Sequence, residues 1–166
     1  MTTPTADQAH QTQRSDTLTD TMTLDVQIFD TDCFGVMWHG AYTKWLEMGR
    51  VKLLEGRGIY LSKPDEPEGF VYPVVEQSFR FKRPAKYGDK VLLKTQLHIE
   101  GIKLIFNQSF TYSGPSNPNE APAAETTDRK IGQLLMEATT VNLVTSMDWK
   151  VQRRIPASIA EKLGLY

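Results

Sequence analysis

Apolar and polar residues alternate along much of this 166-residue chain, and that alternation predicts strands. Met22, Leu24, Val26 and Ile28 interleave with Thr23, Asp25 and Gln27, the pattern of a half-buried strand. Val71, Val75, Phe79 and Phe81 share one parity, with Glu76, Ser78, Arg80 and Lys82 on the other. The cleanest run places Val91, Leu93, Leu97 and Ile99 inward and Lys94, Gln96, His98 and Glu100 outward. Glu100-Gly101 then makes a tight turn into a fourth strand with Ile102, Leu104, Phe106, Phe110 and Tyr112 inward. A fifth strand falls within residues 131–145, and the last four strands are expected to follow one another as a meander.

One helix interrupts this pattern. From residue 40 to about 55 the positions Tyr42, Trp45, Leu46, Gly49, Leu53 and Leu54 follow helical spacing. Gly56 and Gly58 end it, with Arg50, Lys52 and Arg57 close to its negative pole. A short second helix starts after Pro156 and stops by Gly164. The expected class is α+β, a five-stranded antiparallel sheet wrapped around one long central helix. A single helix cannot cover both faces of such a sheet, so self-association is expected.

Composition narrows the picture. Residues 1–19 hold six Thr and three Gln and little that could pack, so they read as a flexible tail. Residues 114–130 carry three prolines and no aromatic side chain and read as a long loop inside a single domain spanning 20–166. The net charge of −1 excludes a strongly basic nucleic-acid footprint. Cys33 is the only cysteine, which excludes an intrachain disulfide and argues against a cysteine zinc site. No apolar run approaches the ~20 residues of a membrane span. The first residues lack the ~7–15 apolar residues of a secretory signal, so the cytoplasm is the expected location.

Candidate chemistry concentrates between the first strand and the helix, in DTDCFGVMWHGAYTKWLEMGR. Asp30, Asp32, Gly35, Met37, His39, Tyr42, Trp45, Glu47 and Arg50 stand there at the spacing D-x-D-x-x-G-x-V/M-x-H/Y-x-x-Y-x-x-W/F-x-E-x-x-R. In this the chain resembles the hotdog-fold acyl-CoA thioesterases of the 4-hydroxybenzoyl-CoA thioesterase type, whose relatives include the Tol–Pal-associated thioesterases. RPAKYGDKV, residues 83–91, resembles the same family's P-A-x-x-G-D turn.

The resemblance implies hydrolysis of an acyl-CoA, with Asp32 as nucleophile or general base and His39 supplying the backbone N–H that polarises the thioester carbonyl. It implies a homodimer or homotetramer with sites at the subunit interface. Coenzyme A is then part of the substrate, and neither a metal nor a further cofactor is needed. Physically, a helix N-terminus aims unpaired N–H groups at developing negative charge, and a carboxylate nearby can attack the carbonyl or activate water. Glu47 is a second candidate carboxylate, since some hotdog thioesterases carry theirs on the helix. Gly35, Trp38, Tyr42, Trp45 and Lys103 are the candidate substrate contacts.

Each residue also has a plainer reading. Asp32 and Asp30 could hold the turn by accepting backbone N–H bonds. Tyr42 and Trp45 could be core, and Glu47 with Arg50 a helix-surface ion pair. The rings of Phe34, Trp38, Tyr42 and Trp45 would accommodate an aromatic acyl group, although a short or medium alkanoyl chain is equally permitted. For the phosphates, relatives can carry three basic residues after the hairpin turn where this chain keeps only Lys103; Arg80, Lys82, Arg83 and Lys86 are alternatives. A hotdog dehydratase acting on hydroxyacyl thioesters and a non-catalytic acyl-thioester-binding module are the competing readings.

Overall fold

A computed structural model describes residues 17–60, 69–117 and 129–164. Strand β1 (Leu18–Asp25) is followed by a single 3₁₀ turn (Ile28–Asp30) and the long helix α1 (His39–Glu55). Then come β2 (Phe70–Val71), β3 (Val74–Phe81), β4 (Asp89–Glu100), β5 (Lys103–Pro115), β6 (Leu134–Leu143), β7 (Thr145–Ser146) and the short helix α2 (Ala157–Lys162). Five strands form one antiparallel sheet in the order β1-β4-β5-β6-β3, and β2 pairs with β7.

The expected α+β architecture is present, with four corrections. Leu18 and Thr19, assigned to the tail, pair with Leu97 and Gln96 in β1, whereas residues 1–16 lie outside the described residues. Ile28 leaves the strand for the 3₁₀ turn and is exposed. The meander runs only from β4 to β6, because β3 sits on the far edge beside β6. Gly114 and Pro115 extend β5, so the loop there begins later than its composition suggests; residues 118–128 lie outside the described residues.

Alternation becomes burial where the helix covers the sheet. Helix α1 packs on β1 and β4, and Val91, Leu93 and Leu97 of β4 are buried beneath it. The core divides into two clusters. Tyr42, Leu46, Leu93, Phe110 and Met136 belong to the one toward Asp89, and Leu53, Leu54, Leu97, Leu104 and Phe106 to the one toward Glu100.

Between the clusters lies a polar layer. Arg50, only 3% exposed, donates to Thr140 Oγ1 at 3.2 Å and is paired with Glu47. Gln108 donates to Leu46 O at 2.9 Å and Thr95 Oγ1 at 3.0 Å. The Glu47–Arg50 pair is a surface bridge on its Glu47 side only, Arg50 being buried: burial pulls the guanidinium below its usual pKa while Glu47 acts in the opposite direction.

Gly49 permits this close approach. A Cβ there would stand 2.6 Å from Thr95 Oγ1 and 2.9 Å from both Gln108 Nε2 and Leu93 Cδ2. Gly49→Ala should cost ~1–3 kcal/mol by overpacking, read as a lower urea midpoint at unchanged slope.

Candidate active site

The segment joining β1 to α1 is folded back on itself. Thr31 pairs with Met37, and Trp38 N–H donates to Asp30 O at 3.1 Å, so the start of the helix returns to the end of the 3₁₀ turn. Asp30 is buried and accepts from Gln27 N–H at 3.1 Å and Lys44 Nζ at 2.8 Å. It is a structural anchor. From outside, the turn before β4 buttresses the loop: Met37 N–H donates to Ala85 O at 2.8 Å, and Val36 pairs with Lys86.

Asp32 occupies the tip of this fold and is exposed. Its Oδ1 accepts Phe34 N–H at 2.9 Å and, more weakly, Val36 N–H at 3.4 Å. Gly35 completes the turn at φ +69°, a conformation that L side chains resist. The turn-holding reading of Asp32 is thus correct for one carboxylate oxygen; Oδ2 accepts nothing among the described residues.

Helix α1 opens immediately after Met37. Its N-cap is Trp38, which makes no side-chain cap bond, and Ala41 and Tyr42 N–H both turn back to Trp38 O. The N–H groups of His39 and Gly40 find no acceptor among the described residues. The Trp38 indole lies across Gly40 so closely that a Cβ there would be 2.0 Å from the ring. The His39 ring stands edge-on to the same indole at 5.4 Å. A carboxylate oxygen, two free N–H donors and an aromatic surface therefore share one end of the protomer.

The remaining candidates divide. Tyr42 is core: its ring meets Phe81 and Phe110, each at 5.3 Å, and its hydroxyl accepts Ala85 N–H at 3.2 Å. Burial pushes this phenol's pKa upward. Trp45 is half-buried against the same cluster, with the Lys44 ammonium 4.8 Å from its ring centroid. Glu47 lies on the helix beyond its second turn and is committed to Arg50.

Lys103 is not brought to the site within a protomer. It pairs with Glu100 at the far end of the 12-residue β4, roughly 35 Å away at ~3.3 Å per residue. Arg83 and Lys86 stand in the turn that buttresses the Asp32 loop, at the same end of the protomer as Lys44 and Arg129, which are held by Asp30 and Asp89. A groove of about 440 Å³ bordered by Ser78, Arg80, Asn107 and Glu137 lies along the sheet, away from Asp32.

One feature escaped the sequence reading. Asp89, the acid of the P-A-x-x-G-D turn, is buried, accepts Lys86 N–H at 2.6 Å and pairs with Arg129, which also donates to Pro84 O at 2.7 Å. The two residues are 40 positions apart, and no periodicity links them.

Known proteins share this fold. The chain aligns with YneP of Bacillus subtilis, named "Putative acyl-CoA thioesterase", at 30% identity over 84 residues, half of this chain and 60% of that protein. TT1821 of Thermus thermophilus is 27% identical, with a TM-score of 0.67 over 89% of this chain and 96% of that one. The 4-hydroxybenzoyl-CoA thioesterase of Pseudomonas sp. strain CBS-3 superposes with a TM-score of 0.70 at 19% identity, over 87% of this chain and 98% of that one. The architecture is accordingly the hotdog fold. The Thioesterase-like superfamily profile matches residues 26–163, and the chain belongs to that family.

Proposed function

We propose that this protein hydrolyses an acyl-CoA thioester to the free acid and coenzyme A. The observation that carries the reading is an Asp32 Oδ2 and a helix N-terminus, its His39 and Gly40 N–H groups, that have no partner among the described residues and lie at one end of the protomer. Those donors stabilise the oxyanion as it forms, while Asp32 attacks the carbonyl or deprotonates water. The reaction consumes water and needs neither metal nor cofactor. Arg83 and Lys86, in the turn that holds the Asp32 loop, are cationic candidates for the coenzyme A phosphates.

The working form is a homo-oligomer, and its location the cytoplasm. The helix-side residues of β3 argue for assembly: Phe79 and Phe81, opposite the buried Ala138 and Met136, are 38% and 53% exposed although their parity points inward. The rings of Phe34 and Trp38 beside the site suit an aryl acyl group, and alkanoyl chains compete for the same space. The experiment is thiol release from a panel of aryl- and alkanoyl-CoA esters, with crotonyl-CoA hydration followed in parallel. Thiol release on any member supports the hydrolase and ranks its substrates. Hydration without release would identify a dehydratase, and ligand retained intact a binding module.

A further inference from the structure

An apolar strip leads away from the first turn of α1 and ends on polar side chains. Phe81 and Phe79 lie on the helix-side face of β3, opposite the buried Met136 and Ala138, with their rings stacked at 5.9 Å. Phe81 meets the ring of Tyr42, in the first turn of α1, at 5.3 Å. The strip therefore starts at the same turn of the helix as the His39 and Gly40 N–H groups, and both phenylalanines remain partly exposed along it.

The next position on that face is Gln77, opposite Thr140, and there the character changes. Gln77 Nε2 donates to Thr140 Oγ1 at 3.0 Å, and Arg50 donates to the same oxygen at 3.2 Å. Arg50 is paired in turn with Glu47, whose side chain is half exposed. Strands β3 and β6 and helix α1 are thus joined by one polar bar, Gln77–Thr140–Arg50–Glu47, lying across the end of the strip. An alkyl chain that ran onto it would take water from the Glu47 carboxylate and the Gln77 amide and offer no hydrogen bond in exchange.

We propose that this bar is the floor of the acyl site and sets the longest acyl group the protein hydrolyses. The inference rests on the hydrolase reading above and adds to it a length limit and the residues that impose it. Two elements measure that limit independently. From His39 to Glu47 the helix advances about 12 Å at ~1.5 Å per residue. From Phe81 to Gln77 the strand advances about 13 Å at ~3.3 Å per residue. An extended chain advances ~1.2 Å per bond, as the backbone does over the three bonds of each residue, so about ten carbons fit before the bar. The substrate class is therefore a short- or medium-chain acyl-CoA, with compact aryl groups also admitted. Closure by a partner subunit would narrow the strip without moving its polar end.

Gln77→Leu tests the floor. It removes the amide while Thr140 still accepts the Arg50 donor, whereas neutralising Glu47 would leave a buried guanidinium without its carboxylate. Thiol release is followed for straight-chain acyl-CoA esters from acetyl to hexadecanoyl and for benzoyl-CoA, with urea midpoints as the control for folding. For the wild type, kcat/KM should rise severalfold with each added pair of methylenes up to decanoyl or below. It should then fall by roughly tenfold or more by tetradecanoyl. Gln77→Leu should move that fall outward by about two to four carbons, within one two-residue step of the strand, and leave the acetyl and benzoyl esters within about twofold of wild type. Wild-type cleavage of hexadecanoyl-CoA as fast as decanoyl-CoA would overturn the floor and leave the hydrolase standing. So would a Gln77→Leu profile that keeps the wild-type cut-off or falls equally at every length, and so would turnover confined to benzoyl-CoA in both proteins. No thiol release from any ester would remove the hydrolase reading and the floor with it.

Discussion

Asp32→Asn should lower thioester turnover by about 100-fold or more while leaving the unfolding midpoint close to wild type. The two readouts separate because the two carboxylate oxygens have different duties. Oδ1 holds the turn through Phe34 N–H at 2.9 Å, and an amide oxygen in the same place still accepts that bond. What Asn lacks is the charge and the basicity of the oxygen left open to solvent. Asp32→Ala should lose both, falling in activity and also losing ~1 kcal/mol or so of stability with the turn bond. Should Asp32→Asn retain full turnover, the chemistry would pass to Glu47, the other carboxylate near the helix, despite its commitment to Arg50. Single turnover in water labelled with heavy oxygen then divides the mechanism: label in Asp32 requires a mixed anhydride opened at the Asp32 carbonyl.

The features legible in the sequence are those whose cause lies nearby along the chain. The alternation of β4 and the spacing of α1 are each answered within the protomer, so pattern and burial agree at Val91, Leu93, Leu46 and Leu53. In β3 the parity was legible and the burial was not, because among the described residues Phe79 and Phe81 are only partly covered, Phe81 by the Tyr42 ring. Leu18 was hidden by a Thr-rich neighbourhood, since its place in β1 depends on a pairing with Leu97. Spacing marks Arg50 as a partner of Glu47 but cannot show that Gly49 lets the helix settle until the guanidinium reaches Thr140. Asp32, Gly35 and His39 fall together because the loop that joins them is local. Lys103 lies apart from them within a protomer because a long hairpin carries it to the opposite end of β4.

Asp89→Ala should be the most destabilising change described, at about 3 kcal/mol. Asp89 Oδ2 accepts Lys86 N–H and is paired with the Arg129 guanidinium; both ionic side chains are largely buried. Truncation leaves that cation next to the Tyr112 ring, 5.7 Å from its centroid, with Pro84 O at 2.7 Å as its remaining acceptor among the described residues and no carboxylate to balance it. Breaking one side of such a pair costs more than the pair itself contributes, so replacing both Asp89 and Arg129 with apolar residues should recover part of the loss. Urea unfolding of the two single variants and the double variant measures that coupling directly. Activity should fall as well, under conditions where Asp89→Ala is still folded. The turn that Asp89 closes carries Ala85 and Lys86, which hold Met37 and Val36 of the Asp32 loop. A carboxylate displaced by even ~1 Å loses its near-attack geometry. The loss should fall on kcat and on KM together, because the loosened turn both positions the Asp32 loop and carries Arg83 and Lys86, the proposed phosphate contacts.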